Sequence, residues 1–146
     1  MFRMIPADFS TEVKQEGEQM IRILAVDDAS TMRSFVKVAL EEKGFEVLTA
    51  VDGVHALKVI ESQEIPFDLV ITDLNMPNKT GMSLISDIRR LDLYQATPIL
   101  VLTTESDEMK KSKSKNVGAN GWITKPFEPG RLINAVETLL ERVGKL

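Results

Sequence analysis

The chain has 146 residues, enough for one domain with a single substantial core, and its 43% apolar content is ordinary for a globular protein. Lysine and arginine total 18 against 22 aspartate and glutamate, a net charge of −4, so nucleic-acid binding through bulk charge is not expected. The absence of cysteine excludes a disulfide framework, thiolate catalysis and a Cys-based zinc site, and fits the cytoplasm; no apolar run approaches the ~20 residues that span a bilayer, and no membrane association is expected.

Residues 1–19 stand apart as an acidic N-terminal extension carrying Asp8, Glu12, Glu16 and Glu18. The segment lacks a sustained apolar face, so a flexible tail is the expectation. A short helix from Ser10 or Thr11 is the alternative, and Met20 is an alternative start. It also lacks the basic start and apolar block of a secretory signal.

From residue 20 onward, short apolar runs alternate with helical patterns. Residues 21–27 read as a strand, followed by Met32, Phe35, Val36, Ala39 and Leu40 at the spacing of an amphipathic helix. Ser30 is the expected N-cap and Gly44 the stop. The polar-spotted residues 45–50 read as an edge strand, followed by a helix through Val54, Leu57 and Ile60 and a strand over 67–73. Thr80 should cap a helix bearing Leu84, Ile85, Ile88 and Leu91, and Pro98 should open a strand ending at Thr103. A helix over 107–117 ends at Gly118, a strand spans 121–124, and Leu132, Ile133, Val136, Leu139, Leu140 and Val143 mark the last helix. Five β-α units in strict alternation predict an α/β fold, a doubly wound parallel sheet with helices on both faces. The continuous apolar runs belong at its centre, consistent with the order 2-1-3-4-5.

Five strands of such a sheet end on one edge, which would gather Asp27, Asp28, Asp73, Thr103 and Lys125. Two like charges ~5 Å apart at an effective dielectric of ~20 repel by roughly 3 kcal/mol. Three carboxylates therefore call for a cation, and oxygen ligands suit Mg²⁺, Mn²⁺ or Ca²⁺ better than zinc. Taken alone, the Asp27-Asp28 pair also reads as helix capping, Lys125 as a solvated or salt-bridged lysine, and Thr103 as a backbone hydrogen-bonder. Lys110, Lys111, Lys113 and Lys115 read either as a solvated helix face or as a basic lip for a partner. His55, the only histidine, sits in a surface-like stretch and is not expected to donate phosphate.

The segments Leu24-Ala25-Val26-Asp27-Asp28-Ala29-Ser30-Thr31-Met32-Arg33, Asp73-Leu74-Asn75-Met76-Pro77, Thr103-Thr104-Glu105 and Lys125-Pro126-Phe127 carry a resemblance. From Met20 onward the chain resembles the receiver domain of two-component response regulators, single-domain CheY type. The resemblance implies the five-stranded, five-helix CheY-like (flavodoxin-like) fold, residues 20–146 as the receiver, and a cis Lys125-Pro126 bond. It implies that Asp73 accepts a phosphoryl group from a CheA-like sensor histidine kinase or a small donor. Asp28, Asp73 and the Asn75 backbone carbonyl would bind Mg²⁺, with Asp27 acting largely through water. Lys125 would contact the phosphoryl group, Thr103 would hydrogen-bond it, and Trp122, where CheY has Tyr, would complete the switch. Asn75 and Glu105 would tune the phosphate lifetime toward a short-lived signal, and Thr104 is bulkier than usual.

The implied function is that of a stand-alone, monomeric chemotaxis-type signalling protein, not an enzyme. Its downstream protein target would bind at the 107–117 helix, the fifth strand and the last helix. A phosphate sink or relay intermediate with no motor target is the alternative. A haloacid-dehalogenase-type phosphatase also uses a strand-end Asp nucleophile, but it needs a second Asp two residues on, where this chain has Asn75.

Overall fold

Runs of Val, Ile and Leu form five parallel strands in the computed structural model, which describes residues 20–146. In chain order these are β1 (Arg22–Val26), β2 (Glu46–Ala50), β3 (Leu69–Thr72), β4 (Ile99–Thr103) and β5 (Gly121–Thr124). Between and after them run α1 (Ser30–Glu41), α2 (Gly53–Ser62), α3 (Gly81–Arg89), α4 (Glu108–Val117) and α5 (Pro129–Arg142), with a 3-10 turn over Asp92–Tyr94. The strand order is β2-β1-β3-β4-β5, as the sequence predicts. β3 and β4 are buried throughout, whereas the polar-spotted β2 lies at an edge. The expected N-terminal extension, residues 1–19, lies outside the described residues.

The period of two along each strand divides the core into two layers. Ile23, Ala25, Leu69, Ile71, Leu100, Leu102 and Ile123 face α1 and α5, meeting Val36, Leu40, Leu132, Val136 and Leu140. Leu24, Val26, Val70, Ile99 and Val101 face the other way, toward Ala56 and Ile60 of α2 and Leu84, Ile85 and Ile88 of α3. Each fully buried Leu or Ile contributes about 1.5–3 kcal/mol, so these rows fix the strand register.

Several local expectations need correction. Ser30 is the first helical residue of α1 rather than its cap; the N-cap is Ala29, which has no side chain to cap with, and its own amide donates to Asp27 Oδ1 at 2.9 Å. Val54 is 40% exposed, and the smaller Ala56 takes the place against the sheet. Val143 is likewise exposed, one residue beyond α5. Thr80 does cap α3, accepting from the Ser83 amide; α1 ends at Glu41 with Glu42 as its C-cap, and Gly44 lies in the turn beyond it at a φ of 92° that favours glycine.

Candidate functional site

The parallel ladder extends one residue past the strands, and that extension carries the site. The Asp27 amide donates to the Ala50 carbonyl at 3.1 Å, the Asp73 amide to Val26 at 3.1 Å, and the Lys125 amide to Thr103 at 2.8 Å. Backbone pairing thus holds Asp27, Asp73 and Lys125 on one sheet edge, although 98 residues separate the first from the last.

Side chains converge there. The Lys125 ammonium donates to Asp27 Oδ2 at 2.7 Å and to Asp73 Oδ2 at 2.9 Å, with all three side chains nearly buried. The Asp73 Oδ1 atom accepts from the amides of Leu74 (2.6 Å) and Asn75 (3.3 Å). Asp28, more exposed, completes a cluster in which one oxygen from each of Asp27, Asp28 and Asp73 lies within 4.8 Å of the others. Burial alone would push the Lys125 pKa down; the hydrogen bonds and charges of Asp27 and Asp73 outweigh it and hold the ammonium above the ordinary lysine value. Three carboxylates and one ammonium leave two negative charges, and the donors are all hard oxygens. That set fits a divalent ion such as Mg²⁺. The Lys125–Pro126 peptide is cis, in agreement with the resemblance.

The remaining predicted residues take other partners. Thr103 is buried at the end of β4, and its Oγ accepts from the Glu105 amide at 3.2 Å. Asn75 has an exposed side chain. Glu105 is turned toward α4, pairing with Lys110 at 3.0 Å and accepting from the Asp107 amide at 3.2 Å. The Lys110 hydrogen bond first, and the amide second, hold its carboxyl below the usual range. Trp122 is half-buried; its Nε1 donates to Thr124 Oγ1 at 3.2 Å, and its ring edges a cavity of about 440 Å³ shared with Lys111, Ser114, Lys115 and Asn120. His55 uses Nδ1 to accept from the Val51 amide at 3.0 Å, well occupied as a local structural group.

Three residues that support the site escaped the sequence reading. Arg33 donates from Nη1 to the Asp27 carbonyl at 2.8 Å, steadying the first acid's backbone from α1. Asp52 caps α2 and accepts from Asn78 of the β3–α3 loop. Arg89 donates to the carbonyls of Tyr94, Thr97 and Gly118 and to Asn120 Oδ1, tying α3 to the end of α4. Arg33 closes the recognised segment that begins at Leu24, and its hold on the Asp27 carbonyl was within reach of a helical-spacing argument; Asp52 precedes a glycine at a strand-to-helix corner, an ordinary cap signal. Carbonyl cages such as that around Arg89 leave no trace in residue types.

The family model for the response regulator receiver domain matches residues 23–137. The chain belongs to that family. It is 36% identical over 125 residues to the chemotaxis protein CheY of Pseudomonas aeruginosa, covering 85% of this chain and 99% of that one. It is 37% identical over 122 residues to the phosphate regulon transcriptional regulatory protein PhoB of the same organism, covering 84% of this chain and 52% of that one. Among solved structures, the chemotaxis protein CheY4 of Vibrio cholerae superposes with a TM-score of 0.79 at 42% identity, covering 84% of this chain and all (100%) of that one. This receiver is therefore a CheY-type response regulator domain of a phosphorelay, a signalling protein. Among the described residues no helix is long and apolar enough to cross a membrane.

Proposed function

We propose that the protein is a stand-alone cytoplasmic response regulator that takes a phosphoryl group on Asp73 in a Mg²⁺-dependent reaction and, so switched, signals to its target by protein contact. The observation that carries the reading is the Lys125 ammonium bridging Asp27 and Asp73 beside a three-carboxylate cluster. Asp28, Asp73 and the Asn75 carbonyl would hold the ion, with Asp27 acting largely through bound water. Mg²⁺, when bound, neutralises charge on the attacking and phosphoryl oxygens.

The chain's own residues do the rest. An Asp73 carboxylate oxygen attacks the phosphorus of a CheA-like kinase's phosphohistidine. The O–P bond forms as the P–N bond breaks, and its electron pair leaves with the imidazole. Lys125 exchanges its contact with Asp73 for one with the phosphoryl oxygens, as a compact point charge. Thr103, buried beside the mouth, turns its hydroxyl to donate to a phosphoryl oxygen. That movement gives up the contact with the Glu105 amide, and Glu105 and Asn75 govern how readily water reaches the acyl phosphate. Trp122 then shifts between exposed and packed positions, changing the face formed by α4, β5 and α5. The half-exposed indole and the lysines of α4 favour that face for the downstream target. Residues 20–146 constitute the phosphoacceptor unit, which acts as a monomer.

The test is fluorescence. Trp122 is the one tryptophan, so its emission should change when Mg²⁺ and then beryllofluoride are added, and Asp73→Asn should abolish the second response. An unchanged beryllofluoride response in that variant refutes the assignment. A second reading, a phosphate sink or relay intermediate with no motor target, draws on Trp122 and the lysine-rich α4, the two features that weaken a carry-over of the motor target. A motor-switch peptide that gains no affinity on phosphorylation excludes the motor as target.

A further inference from the structure

The acidic corner between β2 and α2 lies outside the phosphoacceptor reading, yet it grips the loop that reading depends on. Asp52 is only 9% exposed. One of its oxygens accepts from the His55 amide at 2.8 Å, which is an ordinary helix cap. Its other oxygen reaches across to a different crossover and accepts from Asn78 Nδ2 at 2.8 Å. Asn78 is the one non-glycine residue with positive φ among the described residues, at 71°. That conformation costs about 1 kcal/mol or more, is best tolerated by Asn and Asp, and needs an outside hold.

Two further contacts define the same loop. The Lys79 side chain lies over Gly53, where an added Cβ would come within 2.8 Å of the lysine Cβ and Cγ. At the far end, a Cβ on Gly81 would stand 2.1 Å from the Asp73 carbonyl oxygen, so the start of α3 rests on the backbone of the phosphoacceptor itself. The segment from Asp73 to Gly81 is thus fixed at both ends, and Asp52 and Gly53 seat its apex. Asn75, whose carbonyl is the one backbone ligand in the proposed metal set, lies between Asp73 and that apex.

We infer that Asp52 is a positioning residue for the metal centre, holding the β3–α3 loop through Asn78 so that the Asn75 carbonyl is aimed for a divalent ion. This rests on the reading that the acidic cluster binds Mg²⁺. Neither side chain touches the ion; their effect passes through three residues of backbone.

Four variants of the full chain, titrated with Mg²⁺ by calorimetry and melted without it, test the inference. Asp52→Ser keeps a capping oxygen and removes the oxygen that accepts from Asn78. Asn78→Asp sets two carboxylates face to face. The exchange Asp52→Asn with Asn78→Asp restores a donor opposite an acceptor and conserves net charge. Asn78→Gly removes the contact without a clash and suits the positive φ. Each single variant should bind Mg²⁺ about tenfold more weakly, the usual scale for a residue that orients a metal ligand. The exchange should return the affinity to within about threefold of the wild type, recovering half or more of the binding free energy lost with a tenfold drop. Asn78→Gly should lose affinity while melting no lower than wild type, a split that a purely structural clasp does not produce. Wild-type affinity in the single variants, or an exchange as weak as they are, overturns the inference alone. A wild-type protein that takes no Mg²⁺ overturns it together with the reading beneath it.

Discussion

Lys125 is where the electrostatics of the site become measurable. Its pKa is raised above the ordinary 10.5, so its contribution to stability is complete below that value and is lost as pH rises through the higher folded value. Lys125→Met leaves Asp27 and Asp73 facing each other without their shared cation. We expect a loss of about 2 kcal/mol at neutral pH, below the usual range for broken buried pairs because water reaches the mouth. Urea melts should show that gap holding steady from neutral pH to about 10 and narrowing above it, where the wild-type lysine itself titrates. Mg²⁺ should recover more stability in the variant than in the wild type, since the cluster then carries three uncompensated charges. Equal recovery in both proteins contradicts the account of the cluster. Gly81→Ala tests the neighbouring backbone. A Cβ placed 2.1 Å from the Asp73 carbonyl oxygen meets main chain, which yields little. The variant should lose about 2 kcal/mol or more and bind Mg²⁺ less tightly, as thermal melts with and without the ion would report.

Among the elements, α4 is held least. Ser114 is its only buried residue, Met109 is 72% exposed, and its lysines face solvent. Its ends do the anchoring: Asp107 caps the start, Lys110 pairs with Glu105, and Arg89 grips Gly118 and Asn120 at the finish. Hydrogen exchange should therefore release the middle of α4 well before β1, β3 and β4. Arg89→Met, which strands several half-buried carbonyls, should cost about 2–3 kcal/mol and speed exchange at Gly118 and Ala119 most. The same contrast explains what could be read from residue order. β1, β3 and β4 were legible because continuous apolar runs have one physical use, and the site was legible because its acids and lysine close those runs. Ser30 was misplaced because a serine at the first helical position looks like a cap. Val54 misled because apolar character alone does not say which side of a helix meets the sheet. The hold of Asp52 on Asn78 and of Arg89 on its carbonyls joins residues distant in sequence, and neither leaves a periodic signal.

For the molecule as a whole, the doubly wound sheet puts packing and chemistry in separate places. Two apolar layers fix the strands, and the ladder then delivers Asp27, Asp73 and Lys125 to one edge at no further conformational expense. Because the charged edge is linked to folding, Mg²⁺ binding should raise the melting temperature with the logarithm of its concentration, adding about 2.7 kcal/mol at a hundredfold excess over Kd. The central claim is that this edge makes Asp73 a metal-assisted phosphoacceptor. Its most direct test is intact-protein and peptide mass spectrometry after incubation with acetyl phosphate, with and without Mg²⁺. The account predicts one added phosphoryl group, on Asp73, dependent on the ion and missing from Asp73→Asn. Phosphorylation at another residue, phosphorylation indifferent to Mg²⁺, or none at all would contradict it.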